Sequence, residues 1–289
     1  MNAPKSSVRV SPVWLVLIGI LSVQFGAGVA KTLFDDAAPT TIVWLRLVAS
    51  ALILVAVARP ALRGHTRSDW LVVVAFGLSL GLMNWAIYQS FQRIPLGLAV
   101  TIEFVGPLTL AVVGSRRARD LVWVGLAALG VLLLGLEPGD LTWAGVGFAL
   151  LAGASWAAYI LLSAQTGRRW PGLDGLAMAS VVATLLLTPA TLGSHRGDLG
   201  DTRILVLGAL VGLLSSVIPY TCELVALRSL SPAVFSVLMS LEPAAAALAG
   251  LVVVGELLSP MQLLAMACVV AASIGATRSG RVIADPVPD

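Results

Sequence analysis

Three acidic residues lie inside long apolar segments, where an acidic side chain is costly. They are Glu103 in LGLAVTIEFVGPL, Glu223 in IPYTCELVAL and Glu242 in LMSLEPAAAALAG. An acidic residue at the middle of a membrane helix costs roughly 2.5–3.5 kcal/mol on insertion scales, so it normally faces a cavity lined by protein or water. A carboxylate there can bind an ammonium group through a charge-assisted hydrogen bond, or it can carry a proton. The pattern therefore makes all three glutamates candidates for substrate binding and proton coupling; the alternative is that they only hold helices together.

Two basic residues lie in or near the same kind of segment. Arg46, in IVWLRLVAS, lies well inside its apolar segment. Its guanidinium can bind a substrate carboxylate or pair with one of the glutamates, and the alternatives are a structural ion pair or a side chain that snorkels to the membrane surface. Lys31 lies near the end of the first segment, so we expect it to snorkel. We expect Glu256, which also lies at a segment end, to be solvated.

Polar and aromatic residues in the apolar segments are candidates for the wall of a binding site. Such a site needs a few hydrogen-bonding groups in an otherwise apolar wall, although tyrosine and tryptophan near a membrane surface also form aromatic belts that bind no solute. The candidates are Gln24, Asn84, Tyr88, Trp156, Tyr159 and Tyr220. Because the stretch Gly81–Pro107 combines several of these groups with Glu103, we interpret it as one wall of a substrate path.

The composition places most of the chain in lipid. Of its 289 residues, 58% are apolar and only 11% are charged, and the mean hydropathy is +0.96, whereas soluble domains carry about 25% charged residues. The formal net charge is +3, but the basic residues lie in a few short connections, which indicates membrane topology and not nucleic-acid binding. The two cysteines, Cys222 and Cys268, are too few and too far apart to predict a disulfide framework or a zinc site.

Ten apolar runs have about the 20-residue length that a membrane-spanning helix needs. They cover residues 12–34, 40–58, 69–92, 96–114, 120–136, 141–163, 173–192, 203–227, 232–254 and 260–277. Continuous apolar runs predict helices and not the alternating strands of a membrane barrel. If the N-terminus is cytoplasmic, the basic residues in the outer connections are only Lys31, Arg93, Arg196 and Arg203. This positive-inside bias predicts that both termini are cytoplasmic, with residues 278–289 as a disordered cytoplasmic tail.

The two halves of the chain resemble one another. Arg93-x13-Pro107 in the first half parallels Arg228-x14-Pro243 in the second. Because five spans is an odd number, the second copy must enter the membrane upside down, which is a common transporter design with the substrate site near the midplane. The predicted fold class is therefore an all-α integral membrane protein with ten transmembrane helices, as two inverted five-helix repeats. The repeats cover residues 1–137 and 138–277. The prolines interior enough to bend their helices are Pro107, Pro219 and Pro243.

Several motifs match a known transporter family in order and spacing. They are SVQFGAGVAKTLF at 22–34, GLSLGLMNWAIYQSFQRIPLGLAVTIEFVGPL at 77–108, GASWAAYIL at 153–161, SSVIPYTCELVALRSL at 215–230, LMSLEPAAAALAG at 238–250 and GELLSPMQLLAMACVVAASIGAT at 255–277. Through them the chain resembles, over nearly its whole length, the ten-span EamA-type transporters of the drug/metabolite transporter superfamily. More narrowly, it is similar to the threonine/homoserine exporters of bacterial inner membranes.

The resemblance implies secondary active export of small amino acids, driven by the proton gradient and working by alternating access in a bacterial inner membrane. The partners it implies are an amino-acid substrate, protons and the lipid bilayer, with no cofactor, no metal and no nucleic acid. Two alternatives remain open: a transporter of the same architecture that exports another metabolite or drug, and a passive facilitator. Because the chain has no H-E-x-x-H, G-x-S-x-G or G-x-x-x-x-G-K-[ST] motif, we expect neither an enzyme nor an ATP-driven pump powered by this chain.

Overall fold

The computed structural model describes residues 11–115, 121–134, 141–227, 229–230 and 232–279, and all regular secondary structure in these ranges is helical. The helices are α1 (Pro12–Lys31), α2 (Pro39–Ala58), α3 (Arg67–Phe91), α4 (Leu96–Glu103), α5 (Val105–Ser115), α6 (Leu121–Leu134), α7 (Trp143–Gly167), α8 (Asp174–Ser194), α9 (Thr202–Gly212), α10 (Ile218–Leu227), α11 (Pro232–Met239), α12 (Glu242–Ala249) and α13 (Pro260–Ser279). A 3₁₀ turn at Arg196–Gly200 precedes α9, and π-helical turns at Leu213–Val217 and Gly250–Val254 follow α9 and α12. The predicted all-helical class is confirmed for these residues.

Nine stretches in the described ranges are long and apolar enough to cross a membrane. They are Pro12–Lys31, Pro39–Ala58, Arg67–Phe91, Leu96–Val113, Trp143–Gly167, Asp174–Ser194, Thr202–Glu223, Val234–Val254 and Pro260–Arg278. The remaining predicted span, residues 120–136, corresponds to α6, whose 14 residues form a helix about 21 Å long, which is shorter than the ~30 Å hydrocarbon core. Residues 116–120 and 135–140 beside it lie outside the described ranges, so the ten-span count and the inverted repeat stay predictions.

The outer surface of the bundle is strongly apolar. Trp143 is 88% exposed, Leu257 is 80% exposed and Leu71 is 70% exposed. Soluble monomers rarely expose contiguous apolar patches larger than a few hundred Å², whereas a surface that faces lipid tails is apolar along its length. Together with the nine apolar stretches, this surface makes the chain an integral membrane protein.

Three helix breaks lie a few residues before a proline. The breaks are the turn at Phe104 before Pro107, the π-helical turn Leu213–Val217 before Pro219, and the turn at residues 240–241 before Pro243. A proline has no N–H for the carbonyl four residues earlier, and its ring clashes with that carbonyl. Regular α-helix is therefore interrupted next to the three prolines at which the sequence predicts bends. Two of the breaks carry an acidic residue, because Glu103 ends α4 and Glu242 begins α12.

Close contacts at glycines hold the broken helices against their neighbours. A Cβ atom on Gly106 would collide with the carbonyl of Gly153, so the backbones of α5 and α7 touch where they cross. A Cβ atom on Gly97 would lie 2.9 Å from the Cα atom of Ala247, which brings α4 against α12. Small residues permit this close approach of helices in membranes. The two crossings fix the end of α4, and Glu103 with it, between α7 and α12.

Candidate functional site

A cavity of about 410 Å³ lies inside the bundle and is lined by residues of α1–α5, α7 and α10–α13. Its volume falls in the range of about 300–1,000 Å³ that is typical of small-molecule sites. The structure brings eight of the ten predicted site residues to its wall: Gln24, Arg46, Asn84, Glu103, Trp156, Tyr159, Glu223 and Glu242. The side chain of a ninth, Tyr220, lies outside the described part of the chain. The tenth, Tyr88, is fully buried and does not line the cavity.

The three glutamates share this cavity. Glu103 is 8% exposed and Glu242 is 9% exposed, and Glu223 is partly buried on α10. Among the described residues, none of the three carboxyl groups has a hydrogen-bond or ion-pair partner. The predicted alternative, in which hydrogen-bonded glutamates hold helices together, therefore has no support in this part of the chain. Three carboxyl groups at one cavity favour a cationic ligand or a proton.

Arg46 faces the same cavity and is held by the backbone of the second half. Its Nη2 atom donates to the carbonyl oxygen of Ser215 at 3.1 Å. This carbonyl is available because residue 219, four positions later, is a proline and has no N–H to donate to it. Within the described residues Arg46 forms no ion pair, so the structure shows no pairing with a glutamate. Its guanidinium places a positive charge at the wall of the cavity that the three glutamates also line.

The remaining predicted residues support this wall in different ways. Tyr88 lies behind Arg46, whose guanidinium carbon is 5.8 Å from the centroid of the tyrosine ring. Asn84 donates from Nδ2 to the carbonyl oxygen of Leu80 at 2.9 Å. Trp156 packs edge-to-face against Phe104, with ring centroids 5.0 Å apart. The last contact fixes a large aromatic side chain directly over the break between α4 and α5.

Two predictions from the sequence are wrong. Lys31 does not snorkel and Glu256 is not solvated, because they form an ion pair of 2.5 Å with side chains only 15% and 16% exposed. Lys31 Nζ also donates to the carbonyl oxygen of Ile94 at 2.7 Å, and Glu256 accepts from the backbone N–H of Leu96 at 2.8 Å. Each residue lies at a segment end, and the partner comes from the opposite end of the chain, so sequence position alone could not reveal the pair.

Small hydroxyl residues of the second half complete the cavity wall, and sequence reasoning missed them. They are Ser215, Ser236, Ser273 and Thr277. Ser236 and Thr277 contact one another through their hydroxyl oxygens at 3.3 Å. The four-residue spacing of Ser273 and Thr277 on one helix face was a usable signal, since residues at this spacing are neighbours on a helix surface.

Sequence relatives identify the family. A family model of the EamA-like transporter family matches residues 143–278. Threonine/homoserine exporter RhtA of Escherichia coli (strain K12) is 40% identical over 282 residues, which cover 95% of this chain and 95% of the relative. The same exporter of Salmonella typhimurium (strain LT2) is 40% identical over 278 residues, with 94% of each chain covered. The chain belongs to the EamA-like transporter family.

Two further proteins are similar to this chain. The uncharacterized transporter YwfM of Bacillus subtilis (strain 168) is 32% identical over 167 residues, which cover 56% of each chain. A solved crystal structure superposes with a TM-score of 0.62, covering 90% of this chain and 95% of its own, at 18% identity. That likeness shows a shared fold. As a member of the EamA-like family, the chain is a multi-pass membrane transporter and not an enzyme.

The cavity of this EamA-like transporter has two different ends. At one end its wall reaches Ala111 on α5 and Ser236 on α11, and both are exposed. Toward the other end the wall consists of buried residues such as Gln24 and Val100. Beyond them the Lys31–Glu256 ion pair joins the C-terminal end of α1 to the segment between the second π-helical turn and α13. The cavity wall is therefore exposed toward Ala111 and Ser236 and buried toward Gln24 and Val100.

Proposed function

We propose that this transporter exports small amino acids of the threonine/homoserine kind across the bacterial inner membrane, in exchange for protons. The observation that carries the proposal is the charge content of the cavity, where three glutamates and one arginine line a single space. A zwitterionic amino acid presents the opposite charges, an ammonium group and a carboxylate. The 40% identity to threonine/homoserine exporters over nearly the full length supports the same substrate class.

Proton coupling follows from competition at a carboxyl group. A carboxylate that binds a substrate ammonium cannot hold a proton at the same time, and a protonated carboxyl group binds an ammonium poorly. A residue that alternates between the two therefore exchanges protons for substrate. Glu103 is suited to this role, because it is buried at the break between α4 and α5 and faces the cavity without a hydrogen-bond partner among the described residues. Glu223 and Glu242 are further candidates in the same cavity.

Alternating access is supported by the unequal ends of the cavity. With the predicted cytoplasmic N-terminus, the C-terminal end of α1 is the outer end, so the Lys31–Glu256 pair closes the outer side and the mouth at Ser236 faces the cytoplasm. This is the arrangement in which an exporter loads its substrate. Opening of the outer side requires the ion pair to separate, with the proline-associated breaks as bending points.

The substrate class is tested by tolerance and competition in cells. Expression of the protein in bacteria that lack their own threonine exporters should restore growth at inhibitory threonine or homoserine concentrations, while the empty vector should not. A panel of other amino acids and of cationic drugs separates the alternatives within the family. If the protein protects the cells against the drugs but against neither threonine nor homoserine, it is a drug exporter and the proposed substrate class is wrong.

A passive facilitator is distinguished by the energy requirement of export. Cells loaded with labelled threonine should lower their internal concentration below the external one, and a protonophore should abolish that difference. If efflux stops at equal concentrations with or without the protonophore, the protein is a facilitator.

A further inference from the structure

We propose that Arg46, Ser215 and Gln24 form a subsite for the head group of an α-amino acid, with the substrate carboxylate bound by Arg46 and Ser215. The subsite would make the transporter select amino acids over the corresponding amides and amines. This inference rests on the proposed function, since it orients the substrate in the same cavity.

Several buried polar atoms on or behind this wall of the cavity have no hydrogen-bond partner among the described residues. In the described part of the chain, the buried side-chain atoms without a hydrogen-bond partner are Gln24 Oε1, Arg46 Nε, Tyr88 OH and Ser215 Oγ. Nearly all buried polar groups in proteins are hydrogen-bonded, so several such atoms on or behind one cavity wall are unusual. Gln24 is 3% exposed and Ser215 is 1% exposed, and both line the cavity. Gln24, Arg46 and Ser215 therefore bring polar groups without a partner in the described part of the chain to the wall of a space large enough for a ligand.

The chemical types of these atoms fit an α-amino carboxylate. Arg46 Nε is a donor, the Ser215 hydroxyl can donate, and Gln24 Oε1 is an acceptor. Two donors suit a carboxylate, and an acceptor on the wall of the same cavity suits the ammonium group on the adjacent carbon. Arginine binds carboxylates with several N–H groups in a fixed planar geometry. A substrate carboxylate can form a salt bridge with Arg46, whereas an amide or an amine in its place cannot.

The backbone around Ser215 holds the subsite in position. Ser215 lies in the π-helical turn Leu213–Val217, and turns of this kind are frequent at functional sites. The Ser22 hydroxyl donates to the carbonyl oxygen of Leu214 at 2.6 Å, which fastens the turn to α1. A Cβ atom on Gly26 would collide with Ser215 Oγ, so α1 can approach only because residue 26 is glycine.

The guanidinium of Arg46 is fixed between two contacts. Its Nη2 atom bonds to the Ser215 carbonyl oxygen at 3.1 Å, and the Tyr88 ring lies 5.8 Å away. Nε is left without a partner in the described part of the chain. A donor that is already oriented loses little conformational freedom on binding, which increases affinity and selectivity.

Ligand-dependent melting of the purified protein in detergent tests the subsite without requiring transport. A ligand that binds the folded state raises the melting temperature by an amount that grows with the logarithm of one plus the ratio of ligand concentration to Kd, so titration with L-threonine and with L-threoninamide gives two apparent affinities. For the wild-type protein we expect threonine to bind about 10- to 100-fold more tightly than the amide, as hydrogen bonds to charged groups predict. In Arg46→Gln this ratio should fall to within about threefold. The exposed Arg203, which pairs with Asp36 on the surface, provides the matched control, and Arg203→Gln should keep the wild-type ratio.

Ser215→Ala and Gln24→Leu test the subsite if Arg46→Gln does not fold. Each removes one unpartnered polar group and should weaken threonine binding about three- to tenfold without lowering the melting temperature of the ligand-free protein. A wild-type protein that binds threonine and its amide equally would contradict the subsite alone, as would a ratio that Arg46→Gln leaves unchanged. A wild-type protein that binds no amino acid would contradict the proposed function, and the subsite with it.

Discussion

Glu103 is a buried carboxyl group at the end of α4, and it has no hydrogen-bond or ion-pair partner among the described residues. Replacement by glutamine keeps the size and removes the ionisable group. We expect Glu103→Gln to abolish proton-driven accumulation of threonine at unchanged expression, because the amide does not take up and release a proton near neutral pH and has no negative charge to compete for. Transport by reconstituted protein, measured with and without a pH gradient, checks this.

The control for Glu103→Gln is Asp36→Asn, which makes the same carboxyl-to-amide change on the surface. Asp36 is exposed and pairs with Arg203 at 2.9 Å, so its replacement should leave transport and its pH dependence as in the wild type. If Glu103→Gln keeps full gradient-dependent transport, the proton-coupling role passes to Glu223 or Glu242, and the same change at those positions decides between them.

At the residue scale, the sequence predicted charged and aromatic site residues better than small polar ones. Glu103, Glu223, Glu242 and Arg46 stood out because a charge in an apolar segment is costly. Ser215 did not stand out, because a serine in an apolar helix usually bonds to its own backbone. Lys31 and Glu256 were misjudged, since the cost of burying each is offset by the other, and only the three-dimensional fold brings them together.

At the scale of helices, the Lys31–Glu256 pair ties α1 to the second half of the chain and to the connection between α3 and α4. We expect Lys31→Met to lower the free energy of unfolding by about 1–3 kcal/mol, since it leaves a mostly buried carboxylate without its cation. Denaturation in detergent measures this. Arg203→Gln, at an ion pair whose side chains are 63% and 44% exposed, should change the same quantity by less than about 0.5 kcal/mol. Equal effects at the two pairs would contradict the structural role assigned to Lys31.

The crossing of α5 and α7 is a second contact between helices that a single methyl group can test. Gly106→Ala would place a Cβ atom against the carbonyl of Gly153, so we expect a destabilisation of about 1–3 kcal/mol from overpacking, with loss of transport because the crossing positions Glu103. Gly147 lies on α7, like Gly153. A Cβ atom added to Gly147 would have no atom of another helix within 4 Å. Gly147→Ala should therefore leave the melting temperature unchanged or slightly higher, and a similar loss in both variants would show that the crossing is not tight.

Helix positions were largely predictable from apolar run length, and the breaks near Pro107, Pro219 and Pro243 from the chemistry of proline. The π-helical turns at Leu213–Val217 and Gly250–Val254 were not predicted, since one extra residue in a helical turn leaves no pattern in an apolar run. The first of these turns contains Ser215. Because the turn was not predicted, the sequence also offered no reason to place Ser215 at the cavity.

At the scale of the whole molecule, the direction of transport depends on the membrane topology. The distribution of basic residues predicts that both termini are cytoplasmic, which makes the Ser236 end of the cavity the cytoplasmic mouth. A reporter fused after Gly280 should therefore give a cytoplasmic signal, and a second reporter in the Arg196–Gly200 turn should give an outside signal. An outside signal from the first fusion would overturn the ten-span prediction and reverse the direction assigned to the cavity.

Reconstitution into liposomes tests the central claim, that this transporter exchanges small amino acids for protons. In vesicles with an acidic lumen, protons leaving through the protein should drive labelled threonine inward above its external concentration. The accumulation should collapse with a protonophore and be prevented by excess unlabelled homoserine. Protein that melts cooperatively, and is therefore folded, yet gives neither threonine nor homoserine accumulation under the gradient would contradict the account.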